Sequence, residues 1–504
     1  MSLAIPTYTA TMRCEIATDP HAIPRLVQTV ADCGAMVYGI DVVKSDDDKI
    51  LVDITMNCTD YEHAIEIREA FEDIDDVTVH GIHDVTIQAH LGGKVEVTLK
   101  RPLKTRQDLS RIYTPGVARV CELIAEDKSE ARRLTIKRNT VAVISDGTAV
   151  LGLGDIGPEA AMPVMEGKAA LFKNFANVDA WPICLDTKDS EEIITIVKAI
   201  APGFGGINLE DISAPRCFEI ERRLRQELDI PVFHDDQHGT AAVTLAALIN
   251  ALKVVHKKIE DVRIVVSGVG AAGNAIIRLL LREGAKDVIG CGRAGSLGRF
   301  REEADPDRQW LAQNTNPRNV DGSLKEVLKG ADVFIGVSSG NILDGSDIAT
   351  MADDAIVFAM ANPTPEVDPI AAGEHAKIVA TGRSDFPNQI NNVLVFPGLF
   401  RGLLDIRAHE ITDEMLSVTA RALADVVEPK ELNSSFIIPG VFHPDIAKRV
   451  ANAIREEFEK NLKRTRIKNR ERSRKKRSES CVAGDIWLYK AKYRLCDQRH
   501  RPLN

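Results

Sequence analysis

No stretch of this 504-residue chain approaches the roughly 20 consecutive apolar residues that a bilayer-spanning helix needs, which excludes a membrane protein of that kind. The first ten residues, Met1 to Ala10, lack the basic start and long apolar core of a secretion signal. The nine cysteines (Cys14, Cys33, Cys58, Cys121, Cys184, Cys217, Cys291, Cys481 and Cys496) are odd in number and form no CxxC pair. Neither a disulfide framework nor a zinc site is therefore indicated. Positive charge is short as well. With 64 Lys and Arg against 74 Asp and Glu the net charge is −10, which excludes a surface built to wrap nucleic acid. A soluble cytoplasmic protein with 44% hydrophobic and 27% charged residues remains, long enough for several domains.

Five segments are expected. Residues 1–91 alternate strand and helix patterns in the order βαββαβ: strands at Tyr8 to Ile16, Met36 to Val43, Ile50 to Asn57 and Val77 to Ile87, and helices at Ala22 to Cys33 and Tyr61 to Phe71. Asp19-Pro20 supplies entry chemistry for the first helix. From Gly92 to Val427, short apolar runs alternate with helix-length amphipathic segments, the pattern of a doubly wound α/β fold. This stretch divides into a substrate and metal domain (92–240) and a dinucleotide-binding domain (241–427). A helical segment (428–462) and a basic tail (463–504) follow. The tail crowds Lys and Arg between Lys463 and Arg477 against Glu471 alone, and a solvated segment without structure is expected.

The strand Val262 to Ser267 runs into Gly268-Val-Gly270-Ala-Ala-Gly273 and then into a helix. A lone GxGxxG is weak evidence, but here the strand precedes it and the helix follows. Gly268 would allow the tight turn, Gly270 close approach of the backbone to a pyrophosphate, and Gly273 helix-to-sheet packing. Ala271, Ala272 and Asn274 line the helix N-terminus that would face the phosphates. The next strand should end in a carboxylate for the ribose of NAD. It reads Cys291-Gly292-Arg293 instead, and an arginine there suits a 2′-phosphate, so NAD and NADP both stay open.

Carboxylates cluster after three apolar runs: Asn208-Leu-Glu210-Asp211, His234-Asp235-Asp236-Gln-His238, and Asp146 with Asp155. Adjacent carboxylates repel unless solvated or neutralised, and an all-oxygen set favours Mg²⁺ or Mn²⁺ over zinc. Singly, each pair is more often a helix cap or a surface charge.

The strings Ile112-Tyr-Thr-Pro-Gly-Val117, Leu151-Gly-Leu-Gly-Asp155, Glu166-Gly-Lys168, Asn208-Leu-Glu-Asp-Ile212, His234-Asp-Asp-Gln-His-Gly-Thr240, Ala361-Asn-Pro-Thr364 and Asn388-Gln-Ile-Asn-Asn-Val393 occur in that order. They resemble those of malic enzymes, across most of the chain. The first 91 residues resemble an ACT domain, a small pairing or ligand-sensing module. The fold implied is a Rossmann-type NAD(P)-binding domain and a second α/β domain, preceded by a ferredoxin-like ACT unit.

The resemblance implies oxidative decarboxylation of malate to pyruvate, with NAD or NADP and with Mg²⁺ or Mn²⁺. It implies metal ligands Glu210, Asp211 and Asp236, with Asp235 beside them. Lys168 and Tyr113 become the acid–base pair: Lys168, its pKa lowered by burial or by the metal, takes the C2 hydroxyl proton, and Tyr113 protonates C3. Asn362 and Asn392 match asparagines that contact substrate or nicotinamide, with Asn391 adjacent. Lys173, on the same helix, is the alternative to Lys168. The arginine that many family members carry before the Leu-Gly-Leu-Gly stretch is absent, since the sequence there is Gly147-Thr-Ala-Val150. A homodimer or homotetramer is expected, with a small effector at the ACT-like unit. The competing readings are a malolactic-type enzyme, an oxaloacetate decarboxylase and a metabolite-sensing regulator on an inactive scaffold.

Overall fold

The computed structural model describes residues 8–464 apart from 151, 300 and 301. The expected basic tail lies outside the described residues except for its first two positions. Among the described residues no helix is long and apolar enough to cross a membrane.

The first unit is an antiparallel sheet in the order β2-β3-β1-β4. Its strands are β1 (Tyr8–Ala17), β2 (Met36–Ser45), β3 (Lys49–Cys58) and β4 (Val77–Asp84), with helices Ala22–Asp32 and Tyr61–Glu72 between them. Alternation builds it. Ala10, Met12, Cys14 and Ile16 of β1 and Val52, Ile54, Met56 and Cys58 of β3 point to one face and meet Leu26, Val30, Ile67 and Phe71 of the helices. The opposite face is polar, and on it Arg13 grips Asp53 through two bonds of 2.7 Å. Two boundaries differ from expectation. Asp84 accepts a bond from the Ile87 N–H, so the last strand stops there and a short helix, Val85–His90, replaces its end. The first helix begins at Ala22 with His21, not Asp19, in the cap position.

The second unit is a parallel sheet in the order β6-β5-β7-β8, from β5 (Thr140–Ser145), β6 (Asp179–Cys184), β7 (Gly206–Leu209) and β8 (Val232–His234). β5 is buried along its whole length, as a central parallel strand covered on both faces must be. The third unit has the order β11-β10-β9-β12-β13-β14. Its strands are β9 (Arg263–Ser267), β10 (Asp287–Gly292), β11 (Gly295–Ser296), β12 (Val333–Gly336), β13 (Ile356–Ala359) and β14 (Ile378–Thr381). All its pairings are parallel except β10 with β11.

In each parallel sheet the chain starts in the middle, builds to one side, then crosses back. That reversal lies between β5 and β7 in one sheet and between β9 and β12 in the other. Ligand crevices form outside the carboxyl ends of strands at such a point. The helix Thr240–Val254 joins the two units and is buried nearly all round, as its apolar composition requires.

The segment from Gly92 to Asn139 contrasts with all of this. It forms helices at Arg106–Ile112 and Val117–Glu126, yet no residue in it is buried. Val97, Leu99, Leu109, Ile112, Tyr113 and Leu123 are all exposed.

Candidate active site

β7 ends at Leu209, and the next two residues turn inward as buried carboxylates, Glu210 and Asp211. β8 ends at His234 and leads into a wide π-helical turn, Asp235–Gly239, that aims Asp236 at the same point. One carboxylate oxygen from each of Glu210, Asp211 and Asp236 lies within 4.8 Å of the others. Asp211 adopts a left-handed backbone (φ 52°), which aspartate tolerates better than most residues. Its N–H donates to Asp236 Oδ2 at 3.1 Å. Asn208 Nδ2 donates to Glu210 Oε2 at 2.8 Å and so fixes the direction of that carboxylate.

This crowding has an electrostatic cost. Burial and the neighbouring Asp236 push the Asp211 carboxyl up to about 7. Burial moves Glu210 well above the usual carboxylate range, and the nearby aspartates add to the rise. Asp211 Oδ2 is buried with no hydrogen-bond donor. Three converging carboxylates with an unsatisfied buried oxygen fit a hard divalent cation of the Mg²⁺ or Mn²⁺ kind.

Lys168 reaches this cluster from the long helix Pro158–Ala176. Its Nζ lies 2.6 Å from Asp235 Oδ2 and 2.9 Å from Glu210 Oε1, and the side chain is only 8% exposed. The Phe396 ring lies 4.3 Å beneath the ammonium. Burial pulls the pKa of Lys168 down, but Asp235 and Glu210 outweigh it and the net direction is up. Without a cation in the site, the lowering expected from burial is thus outweighed by two carboxylates that hold the proton on. Lys173 is excluded from the site. It is exposed and paired with Asp179 and Asn177.

The other residues singled out from the sequence divide. Asn392 abuts the Asp235–Gly239 turn, since a β-carbon on Gly239 would sit 3.3 Å from its Cβ. Asn391 caps a short turn by accepting from the Val393 N–H at 3.0 Å. Asn362 is exposed at the cleft between the two parallel-sheet units, its carbonyl close against Gly152. The third carboxylate pair does not join the cluster: Asp146 is bound by Arg216 at 2.7 Å and Asp155 by Lys188 at 2.5 Å.

Tyr113 is 67% exposed, and among the described residues its hydroxyl has no hydrogen-bond partner. A single chain therefore does not show Tyr113 joined to the site that holds Lys168, its expected partner in acid–base chemistry. The physical reason is the uncovered segment on which the tyrosine stands.

The glycine-rich turn follows β9. Gly268 has φ 97°, and a β-carbon there would lie 2.5 Å from the Val337 carbonyl oxygen. One on Gly273 would lie 1.7 Å from the Gly268 oxygen, whereas Gly270 faces open space. The helix Ala271–Arg282 begins immediately, so Ala271 and Ala272 present its unpaired N–H groups. Asn274 is engaged elsewhere: its N–H bonds the Gly270 carbonyl, and its side chain accepts from Arg278 Nε at 2.6 Å. At the tip of β10 Arg293 is exposed, and the Arg308 guanidinium lies 3.2 Å from where a β-carbon on Gly292 would stand.

Residues missed by sequence reasoning include Phe396 and the Arg216–Asp146 pair. Asn208 stood inside a quoted motif, but its service to Glu210 is visible only in three dimensions.

The chain is similar to known proteins over both parallel-sheet units. The N-terminal domain of malic enzymes matches residues 92–225, and the malic enzyme NAD-binding domain matches residues 237–458. The NAD-dependent malic enzyme of Geobacillus stearothermophilus is 58% identical over 446 residues, 88% of this chain and 93% of that one. The bifunctional malic/malolactic enzyme of Bacillus subtilis is 52% identical over 364 residues, 72% of this chain and 89% of that one. The crystal structure of the NAD-dependent malic enzyme from Thermotoga maritima aligns at 49% identity with a TM-score of 0.72, over 74% of this chain and 99% of that one. Two domain matches in tandem, over the units that hold the carboxylate cluster and the glycine-rich turn, place this chain in the malic enzyme family.

Proposed function

We propose that this chain oxidatively decarboxylates malate to pyruvate and carbon dioxide, with a divalent cation at Glu210, Asp211 and Asp236 and a nicotinamide cofactor at the Gly268–Gly273 turn. The observation that carries this is Lys168, an ammonium buried against Asp235 and Glu210 at the edge of the carboxylate cluster. When bound, the cation supplies Lewis-acid polarisation of the C2 oxygen and the cofactor accepts the C2 hydride. Lys168, at the edge of the carboxylates that would hold the cation, would take the C2 hydroxyl proton. Asp235 keeps the amine oriented through that transfer. Asn392, against the Asp235–Gly239 turn, and Asn362, at the cleft, orient the substrate and the nicotinamide. Tyr113 delivers the proton to C3. The same carboxylate cluster would also decarboxylate oxaloacetate. Reduced cofactor formed in step with pyruvate, dependent on Mn²⁺ and lost with chelator, is the expected result with purified protein. The Bacillus relative's malolactic activity motivates a second reading, and lactate formed without net cofactor reduction would favour it.

Tyr113 acts in an oligomer. A segment with two helices and no buried residue cannot hold its shape by its own packing, and a second copy covering its apolar side chains supplies the missing burial. The chain is expected to run as a dimer or tetramer. Leu109→Asp should shift it toward monomer and lower kcat at least about 100-fold, the small end of a lost acid–base contribution. A fully active monomer would end this reading.

Cofactor choice follows from the β10 tip. No carboxylate stands there, Arg293 is free to meet a 2′-phosphate, and the site takes NADP as well as NAD. Arg293→Glu should lower kcat/KM for NADP by about tenfold more than for NAD, the loss of roughly one charged contact of about 1.4 kcal/mol. Equal effects on both cofactors would make Arg293 a surface residue.

The first unit serves as an ACT-like regulator. Its edge strand β2 leaves Met36, Tyr38, Ile40 and Val42 exposed, and its open edge suits pairing with another copy. Removal of residues 1–91 should leave the chemistry and abolish any response to small effectors such as amino acids. An unchanged response would refute the regulatory role.

A further inference from the structure

Asp211 is held in its left-handed turn from outside its own loop. Its carbonyl accepts from the Ala149 N–H at 3.0 Å, and two residues on, the Ser213 N–H donates to Thr148 Oγ1 at 3.0 Å. Both anchors belong to the loop after β5. That loop is shaped in turn by Asp146, which is 1% exposed. Asp146 Oδ1 accepts from the Thr148 N–H at 3.2 Å and from the Thr148 hydroxyl at 2.6 Å.

A buried carboxylate needs a counter-charge, and Asp146 Oδ2 receives Arg216 Nη2 at 2.7 Å. The same nitrogen lies 3.0 Å from Thr148 Oγ1 and 3.3 Å from Ser213 Oγ. The other arm of the guanidinium, Nη1, donates to the Lys188 carbonyl at 2.7 Å. One side chain thereby ties together the loops that leave β5, β6 and β7. Thr148 is saturated: its hydroxyl donates once, to Asp146, and accepts from Ser213 and Arg216.

We propose that Arg216, paired with Asp146 and acting through Thr148, is a positioning residue that sets divalent-cation affinity by holding the Asp211 backbone in its ligating conformation. The inference rests on the cation reading above. Glu210 needs no such help, because its N–H is bonded to Ile144 as an extension of the sheet and Asn208 directs its carboxylate. Asp211 stands one residue further on, where the ladder has ended. Partners that orient a ligand without touching the ion typically govern affinity by about 10–100-fold.

The test is direct binding of Mn²⁺ alone to the full-length protein, followed by the electron paramagnetic resonance signal of the free ion. Arg216→Gln and Thr148→Val should each raise the Mn²⁺ dissociation constant at least about tenfold. Thr148→Ser, which keeps the hydroxyl, should bind within about threefold of wild type, on the same scale of effect. If Arg216→Gln fails to fold, as judged by circular dichroism, the two Thr148 variants decide. Unchanged Mn²⁺ affinity in Arg216→Gln or Thr148→Val overturns the proposal. So does a rise confined to the KM for malate at saturating Mn²⁺, which would make Arg216 a substrate ligand. Failure of the cation reading looks different: wild type would then bind no Mn²⁺, or Asp236→Asn would bind it as well as wild type does.

Discussion

Lys168→Met is expected to lower kcat by about 10²–10⁴-fold, the usual worth of a positioned general acid–base group. The variant should also show a second, thermodynamic effect. In the wild type one ammonium neutralises two buried carboxylates, at 2.6 and 2.9 Å. Methionine fills a similar volume but leaves Asp235 and Glu210 buried without a cation, and breaking a buried pair in that way costs about 3–5 kcal/mol. The loss should be full in chelator and smaller in saturating Mn²⁺, where a divalent ion replaces part of the missing charge beside Glu210. Lys168→Arg separates the two effects. It retains a permanent charge that cannot act as a base, so stability should be kept better than activity. Lys173→Met serves as the control and should leave kcat unaltered, since the exposed Lys173 pairs with Asn177 and Asp179, outside the site. Turnover numbers and urea midpoints, with and without chelator, measure both effects. A Lys168→Met enzyme that keeps more than a tenth of wild-type kcat would remove the lysine from the chemistry.

Much of this site was legible because local sequence and long-range structure agree where the chain leaves a strand. Val262 to Ser267 followed by GxGxxG specifies a strand, a turn of positive φ and a helix start. The structure places Gly268 at φ 97° and the helix at Ala271. The carboxylates at 210, 211 and 236 each follow an apolar run that becomes a parallel strand, but so does Asp146, and the resemblance to malic enzymes was what singled out the three. The βαββαβ order of the first unit followed from period-two burial in β1 and β3, which the paired registers preserve from Tyr8 opposite Cys58 to Ala17 opposite Lys49.

What stayed hidden depends on pairings between distant residues. Periodicity could not tell that Asp146 answers to Arg216, 70 positions away, while Asp155 answers to Lys188 on the surface. The two carboxylates against Lys168 were hidden for the same reason. Burial alone lowers a lysine, and only the coordinates show two carboxylates against it. Tyr113 illustrates the remaining gap. Its motif is legible, but its place in a working site depends on surface that one chain leaves uncovered.

Asp211→Asn is expected to change stability in opposite directions with and without metal. Asparagine keeps the shape of aspartate and adopts the left-handed backbone at least as readily, so φ 52° costs it nothing extra. What changes is charge. In chelator, the wild-type protein holds Asp211 buried beside Asp236, with burial and that neighbour both opposing its ionised form. The amide relieves this and can offer Asp211's own position a hydrogen-bond donor toward Asp236. The chelated variant should therefore unfold at a higher urea concentration than wild type.

With Mn²⁺ at about 100 times its dissociation constant, the wild type should gain about 2.7 kcal/mol through linkage to binding. The variant, with one anionic ligand of three gone, should gain far less, and its turnover should fall at least as far as the 10–100-fold typical of lost supporting contacts. Urea midpoints in chelator and in Mn²⁺ give four numbers, and the sign of the difference must reverse between the two conditions. A variant that is weaker in chelator yet gains as much from Mn²⁺ as wild type would show that Asp211 serves the loop and not the ion.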